Sequence, residues 1–170
     1  VTDNLLIQSI GLVGVFTSIF ANQQKSDKVM LLLLSLGAFI FSLQFYLLDA
    51  NAGAVMCFLG GTRSFIAAFY KVRWLSYVYT VIYLIAGVFV VNTWIDIIPL
   101  LGGILFSISS FILSGLKLRI SIFLAFSCWL TYSIIIGSWG AIISESFQLI
   151  SSAIGMYRLY LRPKNHKEKQ

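Results

Sequence analysis

Charge is what this chain has least of. Only 11% of its 170 residues are Asp, Glu, Lys or Arg, where a soluble domain carries about a quarter. With 59% hydrophobic residues and a mean hydropathy of +0.92, so few charges cannot cover a water-soluble surface. Histidine is scarcer still. His166 stands alone in a polar tail, so the apolar runs hold no imidazole for a metal, a proton relay or a Ser–His nucleophile. No metal and no cofactor is expected. The cysteines Cys57 and Cys128 lie inside apolar runs without CxxC spacing, so they read as packing thiols rather than a disulfide framework. Walker, Rossmann and HExxH patterns are absent, as is a pair of aspartates within the apolar runs. Glu145 has no second group for acid–base work, and the expectation is that the protein is not an enzyme. The net charge of +6 sits in short loops and one tail, which is a topology signal rather than a nucleic-acid face.

What the chain has is apolar length. Seven segments can be marked: Leu5–Ala21, Val29–Leu48, Ala52–Tyr70, Trp74–Val91, Ile95–Leu113, Leu118–Ile136 and Trp139–Leu161. They approach the ~20 residues a helix needs to cross a bilayer. They lack the ~10-residue alternation of barrel strands. The first segment has no basic leader and no A-x-A-like exit, so it reads as a retained helix rather than a signal peptide. The connections NQQKSDK, DAN, KVR, NT, GLK and GS are short enough to force antiparallel neighbours. Lys25, Lys28, Lys71, Arg73, Lys117 and Arg119 fall on one side with the basic residues of the tail. Asp3, Asp49 and Asp96 fall on the other. The positive-inside rule then puts the N-terminus outside and the C-terminus in the cytoplasm. Trp74, Trp94 and Trp139 stand at segment ends, as aromatic belts do.

Two stretches stand out, AGAVMCFLGGTRSFIAAFYK (52–71) and WGAIISESFQLISSAIGMYR (139–158). They carry Arg63 and Glu145, the two formal charges placed well inside the apolar layer. The stretches also match each other. Residues 43–71 lie over residues 130–158 without a gap at an offset of 87, pairing Phe45 with Tyr132, Gly53 with Gly140, Tyr70 with Tyr157 and Lys71 with Arg158. Upstream, Gly14 meets Gly103 if a loop differs by two residues. The expected fold is all-α: seven transmembrane helices as two parallel three-helix repeats joined by a linker helix, a 3+1+3 plan. The units are residues 1–73, 74–93 and 94–162, followed by a polar cytoplasmic tail at 163–170.

The stretch DIIPLLGGILFSISSFILSGLKLRISIF, with CWLTYS, GSWGAIISESF and the closing YRLYLR, resembles the YgjV family of bacterial inner-membrane proteins. The resemblance covers most of the chain and is best from Asp96 to Arg162. Arg63 sits where that family carries an arginine in its third span, Glu145 on its acidic position in the seventh, and Trp129 on its sixth-span tryptophan. The resemblance implies a seven-helix protein of the bacterial inner membrane, related in fold to the SWEET, PQ-loop and vitamin-transporter group. It does not imply a sugar. The asparagines Asn4, Asn22, Asn51, Asn92 and Asn165 all lie at segment ends or in loops, and no Pro–Gln pair is present.

A charge at the bilayer centre costs about 2.5–3.5 kcal/mol on insertion scales. Arg63 and Glu145 are therefore the first candidates for contact with a solute, with a structural ion pair or a snorkelling Arg63 as the bland alternative. At an offset of 87, Glu145 matches Phe58. Arg63 then lies about 7–8 Å deeper and ~140° round the helix, which works against a direct pair. Glu145, Gln148 and Ser152 share one face of the seventh segment, Trp129, Tyr132 and Ser133 one face of the sixth, and Gln44 lies on the second. The candidate substrate-binding set is Arg63, Glu145, Gln148, Trp129, Tyr132 and Gln44. Paired glycines (Gly60–Gly61, Gly102–Gly103, Gly11 with Gly14, Gly137 with Gly140) read as sites of close helix approach. The expected function is movement of a small polar or charged solute by alternating access between the two halves. The alternative is a sensor or assembly partner that keeps the fold. The expected partners are the solute and the lipid bilayer, with no nucleic acid; a homo-oligomer is left open.

Overall fold

The computed structural model describes residues 2–22, 24, 26–70, 72–113 and 115–160. Seven helices follow one another: α1 (Thr2–Asn22), α2 (Asp27–Leu47), α3 (Asn51–Ala67), α4 (Trp74–Val90), α5 (Ile97–Ile112), α6 (Gly115–Ile136) and α7 (Trp139–Tyr160). There is no strand among the described residues. Number and order match the seven apolar segments. The tail 163–170, with Lys25, Lys71 and Arg162, lies outside the described residues, as do the side chains of Asp3, Arg119 and Arg158.

Several boundaries differ from expectation. α1 begins at Thr2 rather than Leu5, α6 at Gly115 rather than Leu118, and α3 ends at Ala67 rather than Tyr70. Before α5, a 3-10 turn (Trp94–Asp96) takes over the first residues of the fifth segment. Asp96 explains this turn. Its Oδ2 accepts the N–H groups of Asn92 (3.1 Å) and Thr93 (2.9 Å) and the Thr93 hydroxyl (3.0 Å). These are the donors a helix start leaves without intrahelical partners. Pro99 falls in the first turn of α5, where a missing N–H removes no helical hydrogen bond.

The helices close a ring. α1 packs on α2, α2 on α3, α3 on α5, α5 on α6, α6 on α7, and α7 back on α1; α4 lies outside, against α3 and α5. One end of the bundle carries Asp49 and Asp96 and is called the acidic end. The other carries Lys28, Arg73 and Lys117 and is called the basic end. There Lys28 Nζ stands 4.4 Å from the centroid of Phe69. Serines and tyrosines tie neighbours together. Ser35 donates to the Gly61 carbonyl (2.8 Å), Ser42 to Ala54 (2.8 Å), Ser76 to Ser107 (3.1 Å) and Tyr83 to Met56 (3.3 Å). Such bonds are the adhesive of helices that have no water between them.

The distribution of side chains is the reverse of an aqueous protein. Val88 and Phe89 are 81% and 79% exposed, while Gln44 and Arg63 are 0% and 6% exposed. Soluble monomers rarely present apolar surface on this scale. Among the described residues, however, no helix is long and apolar enough to cross a membrane. The expectation of seven spanning helices thus holds for number, order and helical type, and not for the apolar length of each one.

Among the described residues, Asp49 and Gly137, 88 positions apart, are the two with positive φ (56° and 75°), and each sits in the turn before a helix. At the same separation, buried positions coincide: Gly11 with Pro99, Gly14 with Gly102, Phe41 with Trp129, Gln44 with Tyr132, Met56 with Ser144. The offset of 87 instead pairs fully buried Met56 with Ile143, which is 47% exposed, and it needs a loop of different length upstream. The small residues of Ala52-Gly53-Ala54 and Gly140-Ala141 match at either offset. At a separation of 88, Glu145 corresponds to Cys57 rather than to Phe58.

Candidate functional site

α2 and α6 meet through an aromatic cluster at the centre of the ring. Phe45 lies 5.6 Å from Tyr132 and 6.2 Å from Trp129, and Trp129 stands edge-on to Tyr132 at 6.3 Å. The Tyr132 hydroxyl accepts the backbone N–H of Gly53 (3.0 Å), an otherwise orphaned donor in the first turn of α3. Ser133, the next residue of α6, is fully buried. The Ser133 hydroxyl has no hydrogen-bond partner.

Glu145, on α7, is partly buried, and its Oε2 is fully buried without a partner. Cys57 of α3 lies within electrostatic reach of it.

Arg63 is elsewhere. It is 6% exposed, its guanidinium carbon stands 4.4 Å over the Phe106 ring, and Tyr79 and Tyr83 of α4 are its electrostatic neighbours. Its Nη1 is buried and has no hydrogen-bond partner. Six residues separate Arg63 from Cys57 on α3, about 9 Å along the axis and ~120° round it. Arg63 therefore occupies the seam of α3, α4 and α5, and no ion pair joins it to Glu145. Tyr83 stands between them. Its ring is packed so closely on Gly103 that a Cβ there would lie 2.5 Å from it. Its hydroxyl passes Gly60 to reach Met56.

Gln44 is also away from Glu145, and both ends of its amide are engaged at the acidic end. It donates to Gln8 Oε1 (3.2 Å) and accepts from the Ser138 hydroxyl (2.9 Å). Gln8 in turn donates to the Gly137 carbonyl (3.1 Å) and accepts the Trp139 N–H (3.0 Å). This clasp joins α1 and α2 to the turn between α6 and α7. Beneath it α1 and α7 touch backbone to backbone, since a Cβ at Gly140 would fall 2.5 Å from the carbonyl carbon of Gly11. Close approach, the expectation for the paired glycines, holds at Gly11, Gly14, Gly61, Gly102, Gly103 and Gly140. At Gly60 a Cβ would meet only a hydroxyl at 3.5 Å. Gly137 instead serves its positive φ.

Of the six expected residues, the structure brings Trp129 and Tyr132 together. Gln148 is half-buried one turn from Glu145 on α7. Arg63 and Gln44 lie in separate places. The sequence reading missed Gln8, Ser138, Tyr83 and Phe106. Tyr83 and Phe106 had no signal, being aromatic in apolar runs. Gln8 had one, a polar amide inside the first apolar segment. A groove of about 520 Å³ between α2 and α3, lined by Phe39, Leu43, Tyr46 and Phe58 among others, faces outward and holds none of these groups.

An all-helical ring with an apolar perimeter and buried, unpartnered polar atoms has the make-up of an integral membrane protein. The family model Imp-YgjV, bacterial inner membrane protein, matches residues 5–163, and the chain belongs to that family. No curated protein and no solved structure gives a significant match.

Proposed function

We propose that the protein moves a small polar or charged solute across the bacterial inner membrane, binding it between α1–α3 and α5–α7. The observation that carries this reading is the set of orphaned buried atoms, Ser133 Oγ next to Tyr132 on α6, Glu145 Oε2 on α7 and Arg63 Nη1 in the seam of α3, α4 and α5. An unpartnered polar group in an apolar interior costs about 1–3 kcal/mol, and more when charged. Inside a membrane such groups are the mark of a substrate or ion path.

The reading uses a 3+1+3 plan of seven membrane-crossing helices, with α4 as linker. The contact order supports it. α1–α2–α3 repeats as α5–α6–α7, and the α3–α5 seam repeats as α7–α1, as two parallel repeats require. Helices of 16–22 residues would measure about 24–33 Å, near the ~30 Å hydrocarbon thickness. By the charge rule the acidic end, with its clasp, faces outward and the basic end the cytoplasm. The clasp then closes the outer side, and alternating access consists of its opening as the two groups rock. The solute passes through without chemical change.

Reconstituted protein exposed to a mixture of small polar metabolites tests this, with the internal contents read by mass spectrometry. Accumulation by the wild type, with loss in Glu145→Gln, is the expected result. No solute entering, with both proteins folded, would overturn the reading and favour a sensor or assembly role.

A further inference from the structure

The groove between α2 and α3 has a small floor and large walls. Ala54 is buried, and the Ser42 hydroxyl turns inward to donate to the Ala54 carbonyl (2.8 Å). The two helices lie close at this point, and the hydroxyl is satisfied. Leu43 and Tyr46 on α2 stand opposite Val55 and Phe58 on α3, and the space they bound is about 520 Å³. Towards the basic end the groove is stopped. Phe39 and Phe58 meet there with ring centroids 5.4 Å apart, and Phe39 is seated on Gly61, where a Cβ would lie 2.8 Å from its ring. Towards the acidic end, about 10 Å further along α2, the lining reaches Tyr46, which is exposed. Asp49 follows in the turn that joins the two walls. It is exposed as well, and its N–H donates to the Tyr46 carbonyl (3.1 Å).

The chain belongs to an inner-membrane family, and the groove opens on its apolar perimeter. Water is a poor occupant, because an ordered water takes about two to four polar partners and the Ser42 hydroxyl is already engaged. A helix of a second copy, about 10 Å across with its side chains, would ride on Leu43, Tyr46 and Phe58 and leave the floor uncovered. An acyl chain reaches the floor and leaves no polar group unpaired. The ends of the groove give that chain a direction. Tyr46 sets an amphipathic ring at the end of the groove, as such rings stand where hydrocarbon meets headgroups. The charge beyond it is negative: Asp49 and Asp96 lie at this end, while Lys28, Arg73 and Lys117 lie at the other. We infer that the groove holds one acyl chain of a phospholipid whose headgroup carries an ammonium, with that ammonium beside Asp49. An anionic headgroup would meet like charge there and no cation among the described residues. The inference needs the membrane and not the solute path, so the two fail separately.

The test places the full chain in nanodiscs of equal parts phosphatidylethanolamine and phosphatidylglycerol with matched chains, and reads the lipid that stays bound by native mass spectrometry. The wild type retains a lipid, with the ethanolamine form favoured about 2- to 5-fold, the range of an exposed charge pair. Ala54→Leu fills the floor, and Leu43→Trp covers it from the exposed rim. Either variant, folded, loses the retained lipid several-fold, and Ile85→Trp on the exposed face of α4 keeps it. Asp49→Asn retains a lipid and abolishes the headgroup preference. Unchanged retention in a folded groove variant, or equal loss in Ile85→Trp, would overturn the inference. So would a wild type that prefers the glycerol form or shows no preference. A lipid-free dimer that the groove variants dissociate would overturn it too and assign the groove to a second copy.

Discussion

Replacing Arg63 with methionine should make the protein more stable. The side chain is 6% exposed, its Nη1 has no partner, and no carboxylate is paired with it. Its recoverable interaction is the contact with Phe106 at 4.4 Å, about 0.5–2 kcal/mol for a cation over a ring. Against this stands the penalty for a guanidinium at such depth, about 2.5–3.5 kcal/mol on insertion scales. Methionine keeps the length of the aliphatic stem, and with it the packing in the seam of α3, α4 and α5. The balance favours the variant by about 1–2 kcal/mol, which is the known behaviour of buried charges exchanged for apolar groups of similar volume. The assay is equilibrium unfolding in mixed micelles of increasing SDS fraction, followed by tryptophan fluorescence. Arg63→Ala is the control. It removes the charge and also opens a cavity, and loss of a large buried side chain costs about 2–5 kcal/mol, so it should fall below wild type. An Arg63→Met protein less stable than wild type by 1 kcal/mol or more would refute the reasoning. It would mean that the guanidinium is satisfied in place and serves the architecture.

Gly140→Ala should destabilise by about 1–3 kcal/mol, because the new Cβ meets the backbone of Gly11, which cannot rotate away. Gly60→Ala should be neutral or stabilising by up to about 1 kcal/mol, since only the Tyr83 hydroxyl stands nearby at 3.5 Å; equal unfolding free energies for the pair would count against the packing described. Tyr132→Phe strips the acceptor from the Gly53 N–H and should lower stability by about 1–2 kcal/mol in the same titration. Gln8→Ala should loosen the acidic-end clasp, since it removes both bonds to the turn between α6 and α7 and the one to Gln44. Faster reaction of a cysteine placed at Ala141 with an externally added thiol reagent would show this, and an unchanged rate would show that the clasp closes nothing. Cysteines at Asp49 and Lys117 should label from opposite sides of sealed vesicles, and labelling from the same side would undo the proposed crossing pattern.

Much of the fold is written in the sequence as apolar runs broken by short polar turns. Segment number, order and type follow from that alone. The end of α3 at Ala67 was not legible, because nothing in FIAAFYK marks a helix end by composition. Arg63 drew attention as a rare charge, yet its surroundings depend on α4, and nothing in an apolar run could have placed Tyr79 and Tyr83 against it. Gln44 stood out for being polar in an apolar run. That it serves a clasp was not readable, since its partners Gln8 and Ser138 lie 36 and 94 positions away.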